Sequence, residues 1–587
     1  MSQAEKPLSV SNKRWVFRQY EERQAMAISQ AYQLPDVIAR LLAGRDIAHD
    51  HVMDFLNPTL KQSLPDPSHL IDMDKAVDRV VQAIQQDEKI AVFGDYDVDG
   101  ATSSATLAKF FRMVGRDLRI YIPDRIEEGY GPNAAAFQQL KDEGISVVIT
   151  VDCGTTAHEP LTAAADMGLD VIVLDHHDCE PKLPPCHALV NPKRLDESSS
   201  CTYLAAVGLC FLFIVALNRA LRQKGWYKDR REPDVRSLLD LVALGTVCDV
   251  MPLEALNRTY VTQGLKVMGQ RQNVGLKALA DVAGINERPS VYHLGYILGP
   301  RINAGGRVGE ASLGATLLST DSAIEAHPIA QRLQQYNDER KEIEQACLEE
   351  AMSMAQSQEG PMILVAGEGW HPGVIGIVAG RLKEHFHRPT CVVSIDENGI
   401  GKGSGRSVSG IDLGALMHAA KQSGLLEAGG GHAMAAGFTV KKEKIAEFHA
   451  FLNGRIDAVP LPEVTLDGAL QLQAVTEDFV ETLERVGPFG VGNPTPRFLF
   501  QHLQVVRADI VGESHVRCIL RDQQGTSIKS ICFRAVDTSL GDLLLNSRGQ
   551  PLHLVATLKT NNWMGRTTVD LTIDDAMLAA EDMKLVG

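Results

Sequence analysis

Residues 89–115 read KIAVFGDYDVDGATSSATLAKFFRMVG: an apolar run, a turn crowded with acids, then a stretch rich in small and apolar side chains. Near-continuous Ile, Val and Phe before the turn suit a strand buried on both faces, and the residues after it suit a helix. Asp95, Asp97 and Asp99 occupy alternate positions between the two. Carboxylates that close repel one another unless a cation sits among them. The rhythm continues through RIYIPD, NAAAFQQLKDEG, ISVVITVDCG, PLTAAADMG and DVIVLDHHD, as far as about residue 190. Such alternation predicts a parallel sheet covered on both sides, with functional loops at the carboxyl ends of its strands.

Acids recur at those ends. Asp97 and Asp99 follow IAVFG, Asp152 follows VVITV, and Asp175, His176 and His177 follow VIVL. Asp249 closes LLDLVALGTVCDVMPL, where a helical segment gives way to a proline-containing loop. Any single Asp at a strand end, Asp95 above all, is accounted for as a helix cap or turn former. A set recurring at the same end of successive β-α units is not. Oxygen ligands joined by an imidazole suit Mg²⁺ or Mn²⁺, with Mn²⁺ the better match to nitrogen.

A chain of 587 residues exceeds what one core accommodates, so three or four domains are expected. An apolar share of 44% with 22% charged residues describes a globular protein, neither disordered nor fibrous. The ten cysteines are scattered without a CxxC pair, which suggests neither a disulfide framework nor a thiolate zinc site and fits a reducing cytoplasm. The longest apolar run, Leu204 to Leu217, has 14 residues, too few to cross a bilayer and suited to a buried helix. MSQAEKPLSVSNKRW at the N-terminus lacks the apolar stretch of a secretory signal, so no membrane segment is expected. A net charge of −16 argues against coating nucleic acid by bulk positive charge, yet leaves room for a local basic groove.

Farther along, LGPRINAGGRVG (residues 298–309) combines glycines with an amide and two guanidinium groups. Gly305 and Gly306 would let backbone approach a ligand, Asn303 would supply the amide, and Arg301 and Arg307 would clamp phosphate oxygens. GIGKGSGRSVSG (399–410) and GGGHAMAAGF (429–438) read as flexible loops able to wrap a phosphate. Ile329, Leu333, Tyr336, Ile343, Cys347 and Met354 recur at helical spacing and predict a long amphipathic helix joining two domains. Beyond VPLPEV (459–464) the pattern changes to short strands, as in a small barrel or sandwich. The first 50 or so residues read as a helical cap on the catalytic core.

GDYDVDG, VDCG, LDHHD and GTVCDVMPL, in this order, resemble the four motifs of the DHH phosphoesterase superfamily. LGPRINAGGRVG, WHPGVIGIVAGRL, GSGRSV and GGGHAMAAGF resemble its RecJ branch, the single-strand-specific 5′ to 3′ DNA exonucleases. The resemblance implies an α/β chain: a parallel-sheet DHH domain (51–320) behind an N-terminal cap (1–50), a connecting helix (321–359), a smaller α/β DHHA1 domain (360–460) and an OB-like β-barrel (461–587). It implies two divalent cations, Mn²⁺ or Mg²⁺, on Asp97, Asp99, Asp152, His176 and Asp249, with Asp152 the bridge. Asp95, His177, Arg301, Asn303 and Arg307 complete the catalytic set. His177 takes a phosphate-facing or proton-handling role, because extended backbone would turn it away from His176. Arg125, Ser404 and Arg406 would form the pocket for a 5′ phosphate, with His432 near the substrate.

On the barrel, Arg517, Arg521, Lys529, Lys559 and Trp563 are the candidate DNA contacts, since such folds hold single strands on basic and aromatic side chains. The implied substrate is single-stranded DNA with a free 5′ end, degraded by a cytoplasmic monomer in repair and recombination beside single-strand-binding protein and a repair helicase. In the superfamily's pyrophosphatases a His precedes the first ligand Asp by four residues; here that position is Phe93, which bears on the occupancy of one metal site. The alternative is a DHH hydrolase of short oligoribonucleotides or cyclic dinucleotides. The extra β-domain favours a long polymer, and a catalytically dead relative would have lost acids that are all present.

Overall fold

A computed structural model describes residues 8–124, 128–129, 131–547, 549–563 and 566–579, except the side chains of 562, 563, 566 and 567. The chain divides into two compact units: Thr59–Val459 with Gly490–Gly492, and Met1–Pro58 with Pro460–Phe489 and Asn493–Gly587. It opens on a short strand, β1 (Arg14–Phe17), of the second unit and then builds the first.

Five parallel strands form the first sheet: β2 (Ile90–Gly94), β3 (Leu118–Tyr121), β4 (Val147–Val151), β5 (Asp170–Leu174) and β6 (Ala188–Val190), in the order 3-2-4-5-6. Every residue of β2 and β4 is buried, which is why their sequences are apolar without alternation. Val92, Ile149 and Ile172 face one layer with Phe110 and Phe211. Ala91, Phe93 and Val148 face the other with Phe137 and Leu161. Helix Ala206–Gln223 carries the apolar run; it is long and apolar enough to cross a membrane by length and composition only, and it is largely buried in the first of these layers.

A second sheet in the same unit contains β7 (Ile363–Glu368), β8 (Thr390–Ile395), β9 (Ile400–Arg406), β10 (Ala428–His432) and β11 (Ala435–Lys441), ordered 10-11-9-8-7 with only β7 and β8 parallel. The two glycine-rich stretches expected as loops are therefore strands. Gly401, Gly403 and Gly405 alternate with Lys402, Ser404 and Arg406, so a period of two puts the glycines on one face. A Cβ on them would lie 2.6 Å from Val393, 2.2 Å from the Phe438 ring and 2.6 Å from Leu413. The glycines serve close packing rather than mobility.

The long helix runs Ala323–Gln356 and starts on Ser322, whose hydroxyl accepts from the Glu325 amide. Its first turns place Ala326, Ala330 and Leu333 in a core with Val98, Leu244 and Ile302. Its last turns place Cys347, Ala351 and Ala355 in a core with Ile363, Val378 and Val392. One helix thus belongs to both cores of the unit. Leu333, Tyr336 and Cys347 are buried as expected, whereas Met354 is exposed.

In the second unit β12 (Glu463–Leu466) pairs in parallel with β1, and β13 (Gly468–Ala469) leads to β14 (Phe498–Val511). With β15 (His515–Arg521), β16 (Ser527–Cys532), β17 (Pro551–Trp563) and β18 (Arg566–Leu578), β14 closes a five-stranded barrel ordered 14-15-16-18-17 and back to 14. Register shifts at Phe500/Leu503 and Val505/Arg507 let β14 bend, pairing β17 with its first half and β15 with its second.

Residues 1–50, expected as a cap on the catalytic core, belong instead to the barrel unit. Helices Glu22–Tyr32 and Asp36–Ala43 contribute Ile28, Ile38 and Leu42 to one core with Phe498, Leu520 and Leu554. Trp15 Nε1 donates to the buried Asp575 carboxylate at 2.9 Å. An apolar helix face shows that something covers it and not what.

Candidate active site

Each acid reaches the site from a different element. β2 ends at Gly94, and the chain turns over Asp95 and Tyr96 into helix Val98–Met113, with Asp97 as its N-cap accepting from the Gly100 amide at 3.1 Å. Asp99, in the first turn, accepts from the amides of Ala206 and Val207 at 2.6 and 2.9 Å, where helix Ala206–Gln223 begins. Asp152 follows β4 at φ 60°, a left-handed conformation that costs free energy in a non-glycine residue. His176 follows β5, and Asp249 caps helix Leu239–Cys248 at its C-terminus.

These side chains converge. His176 Nε2 lies 3.1 Å from Asp152, 3.5 Å from Asp249 and 3.9 Å from Asp99. Donor atoms within 4.8 Å of one another define three groups: Asp95, Asp97 and Asp152; Asp152, His176 and His177; and Asp99, His176 and Asp249. Asp152 and His176 each belong to two of them. Asp95 is thus part of the cluster and not merely a turn former.

His177 does not turn away from His176. The two rings are 4.8 Å apart, because the chain leaves β5 at Leu174 and the alternation of side chains stops there. His177 Nδ1 pairs with Asp175 at 2.7 Å, and Asp175 also accepts from the amides of Thr155 at 3.0 Å and His176 at 2.8 Å. Asp175 is the anchor of this turn, a role its own position in the motif did not reveal.

The electrostatics separate these groups. Burial, with the charge of Asp97, pushes Asp99 up to about 7. Burial followed by repulsion from Asp99 and Asp97 pushes Asp249 up to about 9, and Asp152 is raised well above the usual carboxylate range for the same reasons. Burial and the neighbouring His177 bring His176 down to about 4, so its imidazole is neutral and free to act as a ligand. Asp175 is held below its usual range despite burial, because His177 and the Thr155 amide donate to it. Burial would lower His177, yet the Asp175 carboxylate outweighs it and raises the value. Crowded, buried carboxylates around a neutral imidazole fit hard divalent cations in composition and in charge.

Helix Leu239–Cys248 passes Asp99 at Gly245, where a Cβ would lie 2.3 Å from Thr102 Oγ1, 2.7 Å from Val207 Cγ1 and 3.1 Å from Asp99 Oδ1. Gly245→Ala is expected to destabilise the protein by about 1–3 kcal/mol through overpacking and to weaken Mn²⁺ binding. Thermal melts and calorimetric titration with Mn²⁺ check both.

Arg301, Asn303 and Arg307 lie on helix Gly299–Val308 and not on a loop. A Cβ at Gly306 would sit 2.9 Å from the Tyr96 carbonyl and one at Gly305 2.7 Å from the Glu310 carbonyl. The close approach these glycines allow is to the protein's own backbone, including the acidic turn. Arg301 donates to Gln334 at 2.7 Å and to the Ile297 carbonyl at 2.6 Å, Arg307 Nη1 donates to the Gly373 carbonyl at 2.8 Å, and Asn303 is half-buried between them.

Ser404 and Arg406 share the side of β9 that meets helix Ile375–Phe386: a Cβ at Gly376 would lie 3.0 Å from Ser404 Oγ and 3.2 Å from Arg406 Nη2. A hydroxyl, a guanidinium and a helix N-terminus therefore meet. Exposed His432, at the end of β10, has Nδ1 3.9 Å from Asp178. Arg125 lies outside the described residues, as does the Trp563 side chain. Phe93 is buried and stacks on Tyr121 at 5.3 Å, away in the second layer.

Sequence reasoning passed over two residues after β6. Lys193 Nζ lies 3.4 Å from Asp178, and its charge bears on His176, His177 and Asp249. Asn191 Nδ2 donates to the His177 carbonyl at 2.9 Å. LVNPK stands at the same sheet end as the acids, and that placement was the available signal.

On the barrel, Arg517 and Arg521 share the outward side of β15 with Ile519, opposite which Lys529 stands on β16. Arg517 is 3.4 Å from Asp509. Lys559, on β17, stands opposite Asp570 on β18 and apart from the three.

Family models described as the DHH family N-terminal domain, the DHHA1 domain and the RecJ OB domain match residues 89–246, 359–458 and 466–575. The chain is 33% identical to the single-stranded-DNA-specific exonuclease RecJ of Escherichia coli, over 92% of this chain and 96% of that one. It is 33% identical to the corresponding protein of Bacillus subtilis, over 97% of this chain and 71% of that one. The crystal structure of Thermus thermophilus RecJ in complex with Mn²⁺ matches with a TM-score of 0.81 and 28% identity, over 97% of this chain and 80% of that one. The Mg²⁺ complex of the same protein matches with a TM-score of 0.75 and 27% identity, over 97% and 79%. Domain order, sequence and fold agree, and the chain belongs to the RecJ family of single-stranded-DNA-specific exonucleases.

Proposed function

We propose that this protein degrades single-stranded DNA from the 5′ end to nucleoside 5′-monophosphates, in repair and recombination, using two divalent cations, Mn²⁺ or Mg²⁺. Asp97, Asp99, Asp152, His176 and Asp249 would hold them. The observation that carries this reading is the sharing of Asp152 and His176 between adjoining ligand groups. Held by these residues, the cations would supply positive charge to a phosphodiester and lower the pKa of water so that hydroxide is available near neutral pH. The named Mn²⁺ and Mg²⁺ complexes of the Thermus relative support the choice of metal.

The chain's own groups supply orientation. His177, its proton stabilised by Asp175, is placed to hold a phosphate oxygen or protonate a leaving one, and Lys193 adds a second positive charge beside it. Ser404, Arg406 and the first amides of helix Ile375–Phe386 form a pocket suited to a terminal phosphate; Arg125 and His432 are the further groups assigned to it. Helix Gly299–Val308, carrying Arg301 and Asn303, touches the acidic turn through Gly306 and holds the Gly373 carbonyl through Arg307. Pocket and cluster are thereby kept at a set separation, which supports one cut per bound 5′ end.

The outer side of β15 and β16, with Arg517, Arg521 and Lys529, is the proposed DNA platform, extended by Lys559 and Trp563. A barrel of this kind favours a long polymer over the short oligoribonucleotides or cyclic dinucleotides of the alternative. The ten free cysteines support a cytoplasmic setting. A monomer acting beside single-strand-binding protein and a repair helicase completes the proposal.

End-labelled single-stranded DNA, duplex DNA and a dinucleotide, each with Mg²⁺ and Mn²⁺, test it. Mononucleotides from the single strand alone are expected, and a preference for the dinucleotide would favour the alternative. Arg406→Ala is expected to raise KM for 5′-phosphorylated DNA about 10- to 100-fold, the worth of a charge-assisted hydrogen bond, and to affect 5′-hydroxyl DNA far less. Equal losses on both ends would remove the pocket.

A further inference from the structure

Tyr292 and Tyr296 stand 61% and 74% exposed, an arrangement that leaves two large π-faces in water. Their rings are stacked, with centroids 5.4 Å apart and planes at 25°. They sit on a π-helical turn, His293–Leu298, with Tyr292 at its N-cap. Such wide turns are rare and concentrate at functional sites.

The turn is held firmly. His293 is fixed by Ser290 at 2.9 Å and by Glu287 at 3.0 Å. The Leu294 carbonyl accepts from Cys248 Sγ at 3.4 Å, and Gly299 packs so closely on the same sulfur that a Cβ would lie 2.5 Å from it. Cys248 is the residue before Asp249, so the tyrosine turn is joined by direct contact to the helix end that completes the acidic cluster. Near that end two apolar side chains are exposed, Val250 at 63% and Val491 at 47%, the latter receiving the Leu253 amide on its carbonyl at 2.7 Å, while the exposed Glu254 carboxylate lies against Gly492. Arg301 follows on the next helix and holds the Ile297 carbonyl.

We propose that Tyr292 and Tyr296 form a stacking platform for unpaired bases of the DNA strand engaged at the acidic cluster, an inference that rests on the exonuclease reading above. Every base offers a π-face, so such a platform serves any sequence. A duplex keeps those faces inside its own stack, so the platform also favours single strands. The occupant is the nucleobase because the pair offers exposed ring faces on a turn that touches Cys248, next in the chain to Asp249, and whose Ile297 carbonyl is held by the Arg301 guanidinium.

Steady-state digestion by the full-length protein with Mn²⁺ tests this on a 5′-phosphorylated single strand and on the same strand with an abasic tract behind its 5′-terminal nucleotides. The Tyr292→Ala/Tyr296→Ala variant is expected to raise KM on the normal strand about 10- to 100-fold, the range seen when stacking residues are truncated. Tyr296→Phe keeps the wild-type KM, and Tyr296→Leu loses it. Wild type suffers a comparable rise on the abasic strand, and the double variant suffers little more. An unchanged KM in the double variant, or the same abasic penalty in both proteins, overturns the platform. Retention of KM by Tyr296→Leu also overturns it, in favour of an apolar protein partner. Should the double variant fail to fold, Tyr296→Phe and Tyr296→Leu against the two strands decide the matter. A wild type inactive on both strands overturns the exonuclease reading itself, so the two failures are told apart.

Discussion

Asp152→Asn reduces metal-dependent hydrolysis of single-stranded DNA by about a thousandfold or more while the fold stands. Asp152 shares donor space with Asp95 and Asp97 on one side and with His176 and His177 on the other. The amide keeps the volume and loses the charge. Metal centres contribute several kcal/mol to transition-state stabilisation, and about 1.4 kcal/mol is a tenfold change in rate. The fold survives because neutralising this carboxylate relieves strain: burial, Asp97, Asp99 and Asp249 all oppose its ionisation. Product release from end-labelled DNA, read beside a thermal melt in chelator, checks both halves. Undiminished turnover in a folded variant would refute the assignment of the site.

The second large effect is a loss of stability with rising pH that emerges when metal is removed. Asp99 and Asp249 are raised to about 7 and about 9 in the folded chain, from the ordinary carboxylate value near 3.8. The folded state therefore binds more protons than the unfolded one, and stability present at low pH is lost as pH climbs through those values. Chelated protein is expected to melt at a lower temperature at about pH 8.5 than at about pH 6. Mn²⁺ restores the loss, because cations replace the missing protons, and at a hundred times its Kd contributes about 2.7 kcal/mol. The increment from Mn²⁺ grows with pH, and Asp249→Asn flattens the chelated profile. A chelated melting temperature that rises over this interval would mean the cluster is not electrostatically frustrated.

Local pattern was enough wherever the physics is local. Buried parallel strands must be apolar on both faces, so β2, β4 and β5 were visible as such, and the acids stood in order at their ends. The long helix was equally plain, because its buried stripe follows the helical period over many turns. The short strands after residue 464 announced a small barrel or sandwich by their spacing, and the closure of β14 on β17 made it a barrel.

Other features depended on partners remote in the chain. The Gly401, Gly403 and Gly405 alternation looks like a mobile loop until Phe438 and Leu413 are seen to fill the space of the missing side chains. Gly306 looks like a ligand cradle until the Tyr96 carbonyl is found against it. The first helices declare an apolar face, yet only the shared core with Phe498 and Leu554 tells which domain they cover.

By itself, then, the sequence determined the parallel sheet and the run of acids at its carboxyl edge, since these follow from side-chain periodicity and strand direction. Tertiary structure alone decided that Asp95 joins Asp152, that Asp175 locks His177 beside His176, that Lys193 stands near the histidines, and that Tyr292 and Tyr296 stack in the open. Convergence of groups a hundred residues apart depends on how layers pack, and periodicity along the chain carries no record of that distance.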